Sequence, residues 1–196
     1  MTENMKIWDA VSKTDPKHTK EVSFGRKFTS VNANAQIMEA TRQFGPIGVG
    51  WGYDTVGHEL IGDFFMAKIT LWHGNRENKF GPMLGCAQMF NVGKNKTSDS
   101  DAPKKAATDG LTKGLSQLGF NADIFLGMWD DNKYVQQRER EEEQKPVDIA
   151  VERIEHCNSG AALHEVYISL FRSDQKTAEH ARVIAAKDKR KGELSQ

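Results

Sequence analysis

This sequence has few cysteines, no long apolar run and no excess of either charge. Only two of the 196 residues are cysteine, Cys86 and Cys157. Two distant cysteines provide neither a disulfide framework nor the paired spacing of a zinc site, and they suit a reducing compartment. No apolar segment approaches the ~20 residues of a membrane-spanning helix, and the polar residues 1–6 are unlike a signal peptide. We therefore expect a soluble, cytoplasmic protein.

The charges balance overall but not locally. The chain has 27 Lys and Arg residues against 27 Asp and Glu residues, so it is not a general polycation. Residues 64–105 nevertheless contain seven basic and three acidic side chains, a net charge of +4, whereas residues 128–145 carry a net charge of −2. A basic middle segment is typical of a local groove for phosphates. Ordinary solvated lysines are the alternative interpretation.

The segment 102–118 predicts the helix around which the rest of the chain is organised. Asp101 is suited to cap its first turn, Pro103 is tolerated there, and Gly119 ends it. Apolar residues recur at steps of four, four and three, which predicts one buried stripe formed by Ala107, Leu111, Leu115 and Leu118. Lysines fall outside that stripe, at positions 104, 105 and 113.

The residues before this helix predict strands and one further helix. Residues 20–31 favour a short strand or hairpin, and a helix capped by Asn32 or Asn34 is expected to run to about Gln43. Residues 48–53 begin a strand, and two long β-rich runs follow at 60–72 and 80–92, joined by a loop at 73–79. The expected fold is α+β, with about three long antiparallel strands packed against the long helix. Trp51 is interpreted as a core residue, with a base-stacking platform as the alternative.

The chain ends suggest additional segments around this core. Residues 1–19 form an arm whose short apolar patch docks on a neighbour, which in an oligomer is another subunit; a loosely packed arm is the alternative. We assign residues 20–136 to the core, 137–146 to a charged linker with a boundary at Pro146, and 147–196 to a small C-terminal module of short helices. The charge run at 138–145 is interpreted as the end of a solvated helix and linker.

No residue pattern argues for catalysis. The carboxylates show no strand-borne arrangement with a lysine that would support a magnesium-dependent nuclease, and the six histidines lack paired metal-ligand spacing. Neither cysteine has a nearby histidine and acid that would make it a nucleophile. The Gly93-Lys94 dipeptide is followed by Asn95 where a phosphate-binding loop needs Ser or Thr. We therefore predict a protein that is not an enzyme and that uses neither ATP nor another cofactor or metal; a nuclease remains an alternative.

Two motifs carry a resemblance to a known family. The segment 104–119, which begins Lys-Lys-Ala-Ala-Thr-Asp-Gly-Leu, and the following residues 131–134 resemble the hallmark helix of the Rad-fifty-two-type single-strand annealing proteins. Residues 37–45, ending in Phe-Gly, and the Gly-Trp pair at 50–51 resemble the first helix and turn of the same family. The resemblance covers roughly residues 20–136, and bacteriophage members of the group are the most similar in size.

The resemblance implies a function. It implies ATP-independent binding and annealing of single-stranded DNA in homologous recombination and double-strand break repair, by a phage-encoded protein in the cytoplasm of a bacterial host. Single-stranded DNA and the annealed duplex are the implied ligands, and a homo-oligomeric ring or helical filament is the implied assembly. The alternative is a DNA-binding protein that protects ends or mediates recombinase loading without annealing; strand-pairing kinetics distinguish the two, because a protector slows pairing.

The resemblance also implies where DNA lies, in a groove beside the hallmark helix. Lys113 matches one of two adjacent basic positions and Thr112 the other, while Ser116 and Ala35 stand where the family has further basic residues. We hypothesise that other basic side chains compensate, so that the predicted DNA-binding residues are Arg26, Lys27, Lys94, Lys96, Lys104, Lys105, Thr112 and Lys113. Full single-strand affinity of a Lys105→Ala, Lys113→Ala double variant at physiological salt would refute this hypothesis.

The C-terminal module suggests protein partners. Its basic residues lie beside apolar positions, which suits the acidic, aromatic-ended tail of a host single-strand-binding protein; a phage exonuclease is a further expected partner. The alternative is a module that only maintains solubility or caps the ring. Unchanged annealing of coated strands after deletion of residues 147–196 would reject the docking hypothesis.

Overall fold

The computed structural model describes residues 3–24, 26–90 and 97–195. They divide into two compact units, Met1–Asn132 and Lys133–Gln196. The first unit combines helices with two antiparallel sheets, and the second is helical. The predicted α+β class with a helical C-terminal region is therefore confirmed.

The first unit contains four α-helices and five β-strands within the described residues. In chain order they are α1 (Lys6–Val11), β1 (Thr19–Phe24), β2 (Arg26–Val31), α2 (Ala33–Phe44), β3 (Trp51–Ile61), β4 (Phe64–His73), β5 (Lys79–Gln88), α3 (Ala102–Gln117) and α4 (Ala122–Phe125). The strands β1 and β2 form a separate hairpin, and β3, β4 and β5 form a three-stranded sheet in that order. All neighbouring strands are antiparallel.

The predicted strand limits need two corrections. Leu60 and Ile61 were assigned to the second long strand, but they end β3 and pair with Phe65 and Phe64 of β4. Gly62, with φ of +57°, makes the turn between the two strands, and the apolar pattern continues through that turn. The last long strand ends at Gln88, and the predicted end at Val92 lies outside the described residues.

Helix α3 packs on β4 and β5 through small residues. Its buried positions are Ala102, Ala106, Gly110, Leu111, Gly114 and Leu115. A Cβ atom added at Gly85 of β5 would lie 1.8 Å from the carbonyl oxygen of Ala106, so the two backbones are in direct contact. The predicted stripe is thus correct for Leu111 and Leu115, whereas Ala107 and Leu118 are only partly buried. The sequence did not reveal the row of small residues that lies closest to the sheet, because glycine and alanine contribute little to an apolar pattern.

The predicted helix ends are mostly confirmed. Asn32 caps α2 by accepting the N–H of Asn34, and α3 ends at Gln117, two residues before Gly119. Asp101 occupies the N-cap position of α3, but its side chain makes no capping hydrogen bond, contrary to our expectation. Its carboxylate is instead paired with Lys104 at 3.0 Å.

The N-terminal arm packs on its own unit. The carboxylate of Asp123 accepts the backbone N–H of Thr14 at 2.9 Å and the Thr14 hydroxyl at 2.5 Å. The side-chain amide of Asn121 donates to the same hydroxyl at 2.9 Å. All three residues are buried, and Gly119 lies against Trp8. This buried network fixes the described part of the arm, so it is not loosely packed.

Within the described residues, the second unit consists of four helices, the first of which begins at Asn132, one residue before the unit. They are α5 (Asn132–Glu155), α6 (Gly160–Ser173), α7 (Gln175–Ala178) and α8 (Ala181–Glu193). Its core contains Val147, Ala150, Ile154, Leu163, Leu170 and Val183. Within the described residues, no helix combines the length and the apolar character needed to cross a membrane.

The helix predicted for the charged run is present, but the predicted linker at 137–146 does not interrupt it. Helix α5 runs through that segment and through Pro146, so that proline does not end the helix. Proline costs the helix one hydrogen bond. Side-chain ion pairs spaced three and four residues apart support the segment, including Arg138 and Lys145 with Glu142 at 2.6 and 2.5 Å.

Candidate nucleic-acid interface

The outer side of α3 forms one wall of an open groove. The groove, which we call the α3 groove, has a volume of about 550 Å³ and is lined by Ala33, Asp101, Lys104, Lys105, Thr108, Asp109 and Thr112. Residues three and four positions apart lie on the same face of a helix, which brings the six lining residues from 101 to 112 together. Because the opposite face of α3 is pressed onto the sheet, this outer face is held on a rigid support.

Each lysine on this side of α3 is paired with an aspartate. Lys104 lies 3.0 Å from Asp101, Lys105 lies 2.5 Å from Asp99, and Lys113 lies 2.7 Å from Asp109. All three lysines are exposed. Three positive side chains of the helix are therefore matched by three negative side chains on or just before it, and the local formal charge is zero.

The pair formed by Asp99 and Lys105 changes the acidity of both groups. Its hydrogen bond lowers the pKa of the Asp99 carboxyl, and the backbone N–H of Asp101 lowers it further. The same hydrogen bond raises the pKa of Lys105. Both side chains are therefore charged at neutral pH.

Asp109 and Lys113 also contact the edge strand β5. The Asp109 carboxylate accepts the backbone N–H of Cys86 at 2.9 Å, and the Nζ atom of Lys113 donates to the carbonyl oxygen of Leu84 at 3.3 Å. An edge strand leaves such backbone groups without a neighbouring strand. Lys113 is thus held by two acceptors of its own chain, and this pair helps to close the edge of β5.

The positions where the resembled family has further basic residues differ in exposure. Thr112 lines the α3 groove, and its hydroxyl donates to the carbonyl oxygen of Asp109 at 3.0 Å. The hydroxyl of Ser116 donates to the carbonyl oxygen of Lys113 at 2.8 Å. Ala35 is buried, with only 7% of its surface exposed, so a long basic side chain is not compatible with its surroundings.

The remaining predicted residues are not all brought to the groove. Lys27 is exposed on the hairpin, where it is paired with Glu21 at 3.1 Å, and it does not line the α3 groove. The side chain of Arg26, and Lys94 and Lys96 entirely, lie outside the described residues. The structure therefore brings together Lys104, Lys105 and Thr112 in the groove, with Lys113 on the same helix.

Sequence reasoning missed the acidic half of this surface. It counted the lysines of the middle segment but gave no site role to Asp99, Asp101 or Asp109. Two of the pairs are visible as helix spacings, from Asp101 to Lys104 and from Asp109 to Lys113. Trp51, whose alternative interpretation was base stacking, is 1% exposed and belongs to the core.

The described residues contain no group of three or more His, Cys, Asp or Glu side chains arranged to hold a metal ion. In comparisons with known proteins, the sequence matches no family model and no curated protein.

Proposed function

We propose that this chain is an ATP-independent protein that binds and anneals single-stranded DNA, acting as a phage-encoded homo-oligomer in the bacterial cytoplasm. The observation that carries the proposal is the row of exposed lysines on α3 beside an open groove. This helix is the segment that resembles the hallmark helix of the Rad-fifty-two-type annealing proteins. The order of hairpin, helix, three strands and helix supports the same proposal.

The chemistry of this surface suits phosphates rather than bases. Lysine is a flexible point charge that neutralises phosphate without reading sequence, and the hydroxyls of Thr108 and Thr112 add short polar groups to the groove. Annealing requires that the pairing edges of the bases remain free to meet a second strand. A protein that holds one strand by its phosphates satisfies that requirement and needs no cofactor.

The ion pairs on α3 do not prevent phosphate binding. Exposed pairs between lysine and carboxylate contribute only about 0–1 kcal/mol each, because both partners are well solvated. Binding of a strand releases the counterions condensed on it, which favours association at low salt. The lysines are therefore available to exchange a carboxylate for a phosphate.

The sheet supports the oligomeric part of the proposal. On the face opposite α3, the exposed fractions of Ile61, Phe64 and Leu84 are 54%, 46% and 47%. Ile61 and Phe64 are direct cross-strand partners, and exposed apolar patches are typical of interaction surfaces. A second copy of the chain is the partner that a ring or helical filament requires.

The test is fluorescence-monitored annealing of two complementary oligonucleotides without ATP over a salt series. Wild-type protein is expected to accelerate pairing, and the acceleration is expected to fade as salt increases. A Lys104→Gln, Lys105→Gln, Lys113→Gln triple variant should lose it, with its salt slope for binding reduced by about two, since each single-strand phosphate contact contributes ~0.7.

Arg42→Gln is the matched control, because Arg42 of α2 is also exposed and paired, with Glu39, but does not line the α3 groove. It should anneal as the wild type does. Equal loss in this control would show that net charge, not the α3 surface, determines the activity. Tight binding without acceleration would favour the alternative function, protection of ends or recombinase loading, and absence of binding would refute both functions.

A further inference from the structure

The lysines of α3 share their surface with an equal number of carboxylates. Asp99, Asp101 and Asp109 lie within 2.5 to 3.0 Å of Lys105, Lys104 and Lys113. Two of these aspartates line the same groove as the lysines. A surface built only to attract DNA would lack these three negative charges, and their placement calls for a separate explanation.

We propose that Asp99, Asp101 and Asp109 are built-in competitors of phosphate, which restrict binding to polyanions that reach several lysines at once. This inference rests on the proposed function and adds the class of ligand that the site selects. The carboxylates occupy the positions beside the lysines that phosphate oxygens would otherwise take.

The selection follows from the difference between one contact and several. A single phosphate that approaches one lysine has to displace a carboxylate, which stays nearby and repels it, so little affinity is gained. A strand that has displaced one carboxylate brings its neighbouring phosphates to the remaining lysines at high effective concentration. Each further contact also releases counterions from the strand. Polymers therefore bind, whereas mononucleotides and free phosphate are rejected.

The aspartates can be neutralised without removing their other contacts. Asp99 also accepts the backbone N–H of Asp101, and Asp109 accepts that of Cys86. Asparagine keeps an acceptor oxygen at both positions. At position 101 asparagine is a favourable N-cap residue, so Asp101→Asn is the variant least expected to disturb the fold.

The experiment measures binding of a labelled oligothymidylate by fluorescence anisotropy over a salt series. It compares wild type, Asp101→Asn and the triple variant Asp99→Asn, Asp101→Asn, Asp109→Asn. Each neutralised aspartate is expected to tighten binding by up to about five-fold, from the typical strength of an exposed pair. The salt slope should also become steeper, because no displaced carboxylate recaptures a cation. Thymidine monophosphate and inorganic phosphate should compete better against the triple variant than against wild type.

Glu39→Gln provides the matched control, because it removes one negative charge from the exposed pair with Arg42 on α2, outside the α3 groove. Equal tightening by this variant, or no tightening by the asparagine variants, would overturn the inference while leaving the proposed function intact. Failure of wild type to bind the oligonucleotide would instead overturn the proposed function, and this inference with it. Circular dichroism melting checks the fold of each variant. If the triple variant is unfolded, the comparison of Asp101→Asn with wild type decides the test.

Discussion

Gly85→Ala tests whether direct backbone contact holds α3 on the sheet. The added Cβ would lie 1.8 Å from the carbonyl oxygen of Ala106 and 2.3 Å from the backbone nitrogen of Gly110. Both atoms belong to the helix backbone, so no side-chain rotation relieves the overlap. The helix would have to withdraw by at least about 1 Å from an interior that is otherwise close-packed.

The expected cost follows from that displacement. Overpacking in a core typically costs about 1–3 kcal/mol, and here helix withdrawal also loosens the packing of the buried residues Ile69 and Leu71. The opposing gain from replacing a flexible glycine is only about 0.4–1 kcal/mol. We therefore expect the free energy of unfolding to fall by about 2 kcal/mol, an appreciable part of the ~5–15 kcal/mol available to a domain.

The assay is urea denaturation followed by tryptophan fluorescence. All four tryptophans of the chain lie before residue 133, so the signal reports the first unit alone. Gly57→Ala is the control, because an added Cβ there meets its nearest atom, in the Lys68 side chain, at 3.6 Å. Gly114→Ala should be intermediate, since its Cβ overlaps the movable end of Leu71 at 2.3 Å while alanine favours the helix. Equal stability of Gly85→Ala and Gly57→Ala would refute the contact.

Two further predictions concern polar groups of the same unit, the half-buried His73 and the buried Asp123. Burial lowers the pKa of His73, which stacks on Phe44 with ring centroids 4.7 Å apart. The contribution of His73 to the unfolding free energy should therefore be complete above pH ~6.5 and decline as the pH falls through the lower folded-state pKa. His73→Phe should remove this pH dependence from melting curves recorded between about pH 5 and 7, and an unchanged dependence would contradict the prediction. Asp123→Asn places an amide group opposite the donors of Thr14, so the unfolding free energy should fall by about 2–3 kcal/mol in the urea assay, and wild-type stability would show that the network contributes nothing.

Much of the fold could be predicted because local signals coincide with tertiary structure. Asn32, Gly119 and the alternating strand residues each indicate one local conformation, and the structure uses them as indicated. The limit between β3 and β4 was misplaced because Leu60, Ile61 and Phe64 are all apolar, so the pattern does not change at the turn. At Pro146 a local signal is present but the structure does not follow it, because helix α5 continues through a residue that usually ends a helix.

The candidate surface was harder to predict because some ion pairs of the basic middle segment form only when the tertiary structure brings distant residues together. Counting charges along residues 64–105 gives a basic segment, yet Lys68 of β4 and Lys79 of β5 are paired with Glu59 and Asp54 of β3. Asp54 and Glu59 precede the counted segment, so only the strand register brings them to those lysines. The net charge of a segment therefore overstated the positive charge that the folded surface presents.

Helix α3 shows why packing and the candidate site depend on each other. Its residues at steps of four form separate rows. Positions 102, 106, 110 and 114 face the sheet, and positions 104, 108 and 112 line the groove. Positions 105, 109 and 113 form a third row, of which 105 and 109 also line the groove and 109 and 113 contact β5. Larger residues in the first row would lift the helix from the sheet, and Asp109 and Lys113 would lose Cys86 and Leu84. The small residues facing the sheet therefore set the distance at which the charged rows meet the edge of β5. A change that only loosens this packing should also weaken the DNA binding that we propose.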